Sequence, residues 1–227
     1  MKRARALATG CQRRGLLGVV LGSVLGLGLL GGAAAETLNA DLLQAARLDD
    51  GRRIMSLLLR GANPNARDER GQTALLIALK EESEKALKSL LEHPGLDMNL
   101  ANAAGETPLM LAALRGRLDW VQALRQRGAE INRPGWAPLH YACSGPDEGV
   151  VDWLLLQGAE IDARSPNGST PLMLAAGYGG ISSAERLLKA GAKAGLRNEQ
   201  GQTAADFAER AGRDRLARQL RAAADKP

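Results

Sequence analysis

The side chains with most scope for chemistry in this 227-residue chain are two histidines, His93 and His140, and two cysteines, Cys11 and Cys143. Nucleophilic catalysis would need one of them, or a serine, set beside an activating base. Metal-assisted hydrolysis would need His, Cys or carboxylates at ligand spacing. Neither arrangement is visible, and no H-E-x-x-H, G-x-S-x-G or phosphate-loop pattern occurs. Gly26-Leu27-Gly28-Leu29-Leu30-Gly31 fits G-x-G-x-x-G, but it stands in an apolar run with no strand before it, so it is not a nucleotide site. We therefore expect no catalytic residue, no metal ligand and no cofactor. Cys143 lies among small apolar residues and is expected to be an inert core thiol. His93 is expected to end a helix, where a cation suits the dipole. Arginines between Arg210 and Arg221 are interleaved with Asp214 and follow Asp206 and Glu209, the pattern of a solvated face rather than a nucleic-acid site.

The elements that hold these residues repeat. Gly71-Gln72-Thr73-Ala74-Leu75-Leu76-Ile77-Ala78 returns as Gly105-Glu106-Thr107-Pro108-Leu109-Met110-Leu111-Ala112. It returns again from Gly135 to Ala142, from Gly168 to Ala175 and, in worn form, from Gly201 to Ala208, at spacings of 34, 30, 33 and 33 residues. Thr73, Thr107, Thr170 and Thr203 can cap a first helix, and Pro108, Pro138 and Pro171 suit its first position. Ala137 replaces the capping threonine in one unit, at an expected cost of about 1 kcal/mol. A second helix with an apolar face follows, ended by Gly61, Gly128, Gly158 or Gly191 in the left-handed conformation. The connection before Gly135 is three residues short, so the hairpin from Asn132 to Trp136 is expected to be truncated. Glu92-His93-Pro94-Gly95-Leu96-Asp97 replaces one glycine ending with a longer turn.

Period and motif resemble the ankyrin repeat, with its T-P-L-H-x-A core; Pro138-Leu139-His140-Tyr141-Ala142 keeps most of that core. The resemblance implies an all-α solenoid of about five to six helix-turn-helix units joined by hairpin loops. The units are expected at about 38–67, 71–101, 105–132, 135–164, 168–197 and 201–222, within a domain of residues 36–227. The first and last read as caps. In such proteins the histidine of the motif ties adjacent loops together, the role implied for His140. The resemblance also implies a protein-binding concave surface, on which Glu69, Arg70, Gln72, Lys80, Glu106, Arg115, Arg133, Trp136, Tyr178, Glu199, Gln202 and Arg210 are the expected contact residues. Trp136 can equally fold back over its short hairpin as local packing. Trp120 and Trp153 are expected to be structural.

Residues 1–35 read as a cleavable signal peptide. Lys2, Arg3, Arg5, Arg13 and Arg14 precede an apolar, glycine-rich run, and Ala33 and Ala35 match a signal-peptidase site. The whole formal excess of five positive charges belongs to this leader, so the remainder is neutral and its pI gives no argument for an anionic partner. Gln12-Arg13-Arg14-Gly15-Leu16-Leu17 resembles a twin-arginine motif, which leaves Tat and Sec export both open. An uncleaved Gly15–Ala35 segment would instead anchor the chain in the inner membrane. The expected location is therefore the periplasm, and the expected partner is a protein, with no nucleic acid and no membrane contact once the leader is removed. Exported bacterial proteins of this kind resemble two groups. One contains immunity proteins that neutralise antibacterial effectors, including type VI effectors; the other accompanies catalases in peroxide resistance. An envelope scaffold is a third reading. Immunity is placed first because no enzyme domain is fused to the array, with an effector toxin or an envelope protein as partner.

Overall fold

The computed structural model describes residues 26–225, which form twelve α-helices in six antiparallel pairs. The inner helices are α1 (Gly26–Arg47), α3 (Ala74–Lys80), α5 (Pro108–Leu114), α7 (Pro138–Ala142), α9 (Pro171–Gly177) and α11 (Ala204–Arg210). Their partners are α2 (Gly51–Leu59), α4 (Glu84–Leu91), α6 (Leu118–Gln126), α8 (Glu148–Leu156), α10 (Ile181–Lys189) and α12 (Asp214–Ala224). Inner helices pack on one another in chain order, so each pair touches only its neighbours and the core is one continuous ribbon.

The inner helices α3, α5, α7, α9 and α11 start where the sequence says they should, whereas α1 begins at Gly26, ahead of the expected first unit. The hydroxyls of Thr73, Thr107, Thr170 and Thr203 accept from the N–H three residues on, at 3.3–3.4 Å. Pro108, Pro138 and Pro171 open α5, α7 and α9. Ala137 cannot accept, but its own N–H donates to His140 Nδ1 at 3.2 Å, so α7 keeps half of the reciprocal cap. Behind the caps, Ala78, Ala112, Ala113, Ala142, Cys143, Ala175, Ala176 and Ala208 are fully buried. Their small volume lets successive inner helices approach, while Leu75, Leu109, Leu139 and Leu172 fill the core, each contributing roughly 1.5–3 kcal/mol by burial.

Gly61, Gly128, Gly158 and Gly191 stand at φ of +85 to +95° just beyond their helices, where a Cβ would be strained. The long turn after α4 is closed differently from expectation. Nδ1 of His93 accepts from the Gly95 N–H at 3.1 Å, so the imidazole serves the turn. The cation at the end of α4 is Arg127 of the next unit, which donates to the carbonyls of Leu91 and His93.

Four hairpins are closed by paired backbone bonds, as in Asp68 N–H to Gln72 O and Gly71 N–H to Asp68 O, both about 3 Å. No such bonds span residues 132–136, and that hairpin is truncated as the missing residues foretold. Its anchor survives: Asn132 donates to Gly158 O and accepts from the Glu160 N–H. Asn65 and Asn99 make the same two-bond bridge to the unit that follows each of them. The sequence reading overlooked this stapling.

The helix α1 runs unbroken through the expected cleavage point after Ala35, and Leu42, Leu43, Ala45 and Ala46 of its later part are buried in the core. No described helix is long and apolar enough to cross a membrane. The twin-arginine motif, Cys11 and most of the Gly15–Ala35 run lie outside the described residues.

Candidate functional site: the concave groove of units four to six

The sixth residue after each hairpin glycine points from an inner helix toward the concave side. These residues are Ile77, Leu111, Tyr141, Leu174 and Phe207. Ile77 and Leu111 are closed over (5% and 7% exposed), whereas Tyr141 and Leu174 are only half-buried. One further turn along the same face stand Leu114, 37% exposed, and Tyr178, 69% exposed. The chain has six aromatic residues in all. Four of them, Trp136, Tyr141, Tyr178 and Phe207, gather here; the other two, Trp120 and Trp153, pack into the array from second helices.

Two adjoining hollows result. The first, about 200 Å³, is lined by Leu114, Trp136, His140, Tyr141, Ser144 and Leu174. The second, about 240 Å³, is lined by Trp136, Leu174, Tyr178, Phe207 and Arg210 together with the amides of Asn167, Asn198, Gln200 and Gln202 and the Ser169 hydroxyl. Trp136 and Leu174 belong to both. The Trp136 ring stands edge-on to His140 at 5.4 Å and to Tyr141 at 6.3 Å. It therefore packs on its own unit and still presents surface to the groove. At the other end Tyr178 meets Phe207 edge-on at 6.3 Å, and the Arg210 guanidinium lies 4.6 Å above the Phe207 ring.

His140 underlies this floor and is fully buried. Its Nδ1 accepts from Ala137, so Nε2 must carry the proton that goes to Ser169 O, 3.1 Å away in the next unit. This is the loop-tying role the motif implied. Burial is the main cause that pushes its pKa below 6.5, since a charged ring would lose its hydration there, and the backbone hydrogen bonds to the ring oppose that shift only in part. Burial raises the Cys143 thiol far above its usual range, which removes it as a nucleophile. Burial also raises the Tyr141 phenol, helped by the Glu106 carboxylate facing it. Among the described residues no group of three or more His, Cys, Asp or Glu side chains could hold a metal ion.

The residues expected from sequence divide into four sets. Trp136, Tyr178, Gln202 and Arg210 come together in the groove. Arg133 sits at its near edge, half-buried, donating to Gly105 O, with Glu106 beside Tyr141 and bonded by Asn102; Glu199 stands exposed on the hairpin at the far end. Lys80, Arg115 and Gln72 lie on units two and three, where Arg115 pairs with Glu82 at 3.2 Å and also donates to the Lys80 carbonyl. Glu69 and Arg70 line a separate hollow against α1. Leu114, Tyr141, Leu174 and Phe207 were missed. Their signal was the fixed register after the hairpin glycine, read only as core.

Comparison with known proteins accords with this geometry. The family model described as "Ankyrin repeats (3 copies)" matches residues 42–135, 95–165 and 139–226. The B-cell lymphoma 3 protein homolog of Mus musculus is 34% identical over 152 residues, 64% of this chain and 34% of its own length. The SH3 and multiple ankyrin repeat domains protein 2 of Homo sapiens is 32% identical over 191 residues, 82% of this chain but 10% of its own length. The chain thus spans about a third or less of these curated relatives. Among solved structures, it resembles a chain from the complex of a predatory endopeptidase from Bdellovibrio bacteriovorus with an immunity protein. That likeness has a TM-score of 0.68 at 27% identity and covers 80% of this chain and 97% of that one.

Proposed function

The chain belongs to the ankyrin-repeat family, a family of protein-binding modules, and from that premise we propose that it is an exported immunity protein that binds and neutralises a hydrolytic effector. The observation that carries the reading is the likeness, along nearly the full length of the other chain, to a protein from an endopeptidase–immunity complex. An inhibitor of this kind acts by occupying its target, which needs a rigid, preorganised face and no chemistry of its own. The concave groove offers such a face, with accessible aromatic and arginine side chains of the types that dominate interface energetics.

Export supplies the compartment in which effector and inhibitor would meet. The leader through Ala35 carries basic, apolar and small-residue regions in signal-peptide order. Its removal would leave Leu42, Leu43, Ala45 and Ala46, which anchor α1 in the core, in place. The single cysteine among the described residues is buried, so stability in an oxidising compartment rests on packing.

Two measurements test this. Cell fractionation with N-terminal sequencing should find the chain in the periplasm beginning at Glu36. Affinity capture from envelope and secreted fractions should recover a hydrolase whose activity falls to background as the chain reaches equimolar amounts. A captured enzyme that keeps full activity when saturated would overturn the immunity reading.

A further inference from the structure

We infer that the groove takes a protruding loop of the partner that presents one large apolar side chain beside a carboxylate; this rests on the reading that the partner is a protein. Three features point to that occupant: the size of the hollows, the lack of uncommitted polar groups in one of them, and the uncompensated charge at their ends.

Each hollow is smaller than the roughly 300–1,000 Å³ of sites that enclose whole small molecules. They suit single side chains of something larger. The first hollow is walled by Leu114, Trp136, Tyr141 and Leu174, and the polar atoms of His140 and Ser144 in it are already engaged. Both ring nitrogens of His140 are bonded to backbone, and the Ser144 hydroxyl donates to His140 O at 3.4 Å. A polar group entering there would lose its water without gaining a partner, whereas an apolar one gains by its burial.

Several arginines are matched to carboxylates: Arg53 to Asp41, Arg117 to Glu84 and Asp119, Arg186 to Glu148 and Asp152, Arg221 to Glu209. Others, such as Arg127 and Arg213, are spent on the carbonyls of a neighbouring unit. The two arginines that bracket the groove also lack a carboxylate, and they stand beside its aromatic wall. Arg133 donates to Gly105 O, and Arg210 to Gln202 Oε1 at 3.0 Å, and no carboxylate pairs with either among the described residues. Arg133 is half-buried and the exposed Arg210 lies over the Phe207 ring, and the planar fork of a guanidinium matches a bidentate carboxylate. The neighbouring side-chain amide of Gln200, exposed on the hairpin, can meet the backbone of an extended loop, while the Asn198 amide is bonded within the hairpin and holds its shape.

The test pans a display library of short disulfide-closed loops against the purified full-length chain. Winning loops, made as synthetic peptides, are then titrated against the wild type, Arg210→Glu and Tyr178→Ala. We expect winners with Asp or Glu next to Leu, Ile, Phe or Trp. Their affinity should fall about tenfold or more on Arg210→Glu, and recover when the loop carboxylate is replaced by lysine. Tyr178 is largely exposed, so Tyr178→Ala should weaken the same loops while leaving the melting temperature unchanged. Winners without that pairing, or affinities within about twofold of wild type in both variants, would overturn the inference. So would competition by single-stranded DNA at equal salt, or a chain that dimerises through the groove and dissociates on Arg210→Glu. Failure of the immunity reading shows separately, as a captured hydrolase left active, since the loop titration does not depend on finding the natural partner.

Discussion

The concave face of units two and three and that of units four to six are built on the same register but present opposite chemistry. On the first, Ile77 and Leu111 are closed over, and the positions beyond them are Lys80, Glu81, Glu82 and Arg115, of which Arg115 pairs with Glu82, with Leu114 at the border of the first hollow. On the second, Tyr141 and Leu174 stay half-open and the flanking positions carry Trp136, Tyr178 and Arg210. A solenoid of near-equal units thus acquires a site through a few register-specific changes. Charged, solvated side chains gain little from a partner, whereas large apolar surface held open by rigid packing gains much.

The inner-to-outer turns also differ in how closely they approach the neighbouring unit. Those of units one and two pass through Asp49 and Glu82 at φ of +52° and +56°. A Cβ at Gly116 in unit three would meet Pro146 and Asp147 at 2.9 Å, whereas one at Gly212 in unit six would meet nothing within 4 Å. In unit five the turn is Gly179, where a Cβ would lie 1.7 Å from the carbonyl oxygen of Cys143. The tightest of these turns therefore seats unit five, which carries Leu174 and Tyr178, on unit four.

The comparison can be broken or sharpened in four ways. The largest effect should come from Gly179→Ala, which forces backbone apart and should cost about 3 kcal/mol or more in urea unfolding. Gly105→Ala, with open space around its Cβ and only a strained φ of +79°, should cost about 1 kcal/mol. Equal losses would remove the case for a tightly seated groove half. Next, Trp136→Ala should weaken capture of the partner by about 2 kcal/mol, while Lys80→Ala changes it by less than about 0.5 kcal/mol. A reversed order, measured by calorimetry, would move the site to the charged half.

The third concerns pH. The pKa of His140 is lower in the folded chain than the 6.5 of the unfolded one, so the unfolded chain binds the extra proton first. The contribution of the neutral ring is complete above about pH 6.5 and is lost as pH falls through that value toward the depressed folded pKa. The urea midpoint should therefore decline on acidification, and His140→Gln should flatten that decline; an unchanged slope would show that His140 is not the titrating group. Smallest of all, Arg115→Ala should change stability by under about 1 kcal/mol, because both partners of its ion pair are exposed. A larger loss by thermal melting would mean that the charged half is an organised surface.

Much of the fold could be read residue by residue. Threonine caps, N1 prolines, left-handed glycines and the short hairpin before Gly135 follow from local stereochemistry, which acts within a few residues. The His140 bond across to unit five came with the motif. The stapling by Asn65, Asn99 and Asn132 went unread, because each joins groups about thirty residues apart with no local mark. For the site, aromatic and arginine types led to Trp136, Tyr178 and Arg210. Leu174 and Phe207 were hidden, since an apolar residue on an inner helix looks the same whether its neighbour covers it or not.

The sequence by itself determined the repeating unit, the direction of each helix pair and the absence of recognisable catalytic or metal-binding motifs, because these depend on short-range spacing and residue chemistry. Only the tertiary structure decided which register positions stay open, which arginines lack a carboxylate and where two hollows share a tryptophan wall. Exposure and pairing are set by what the adjacent units place alongside, and the stacking of those units brings together groups that lie far apart along the chain.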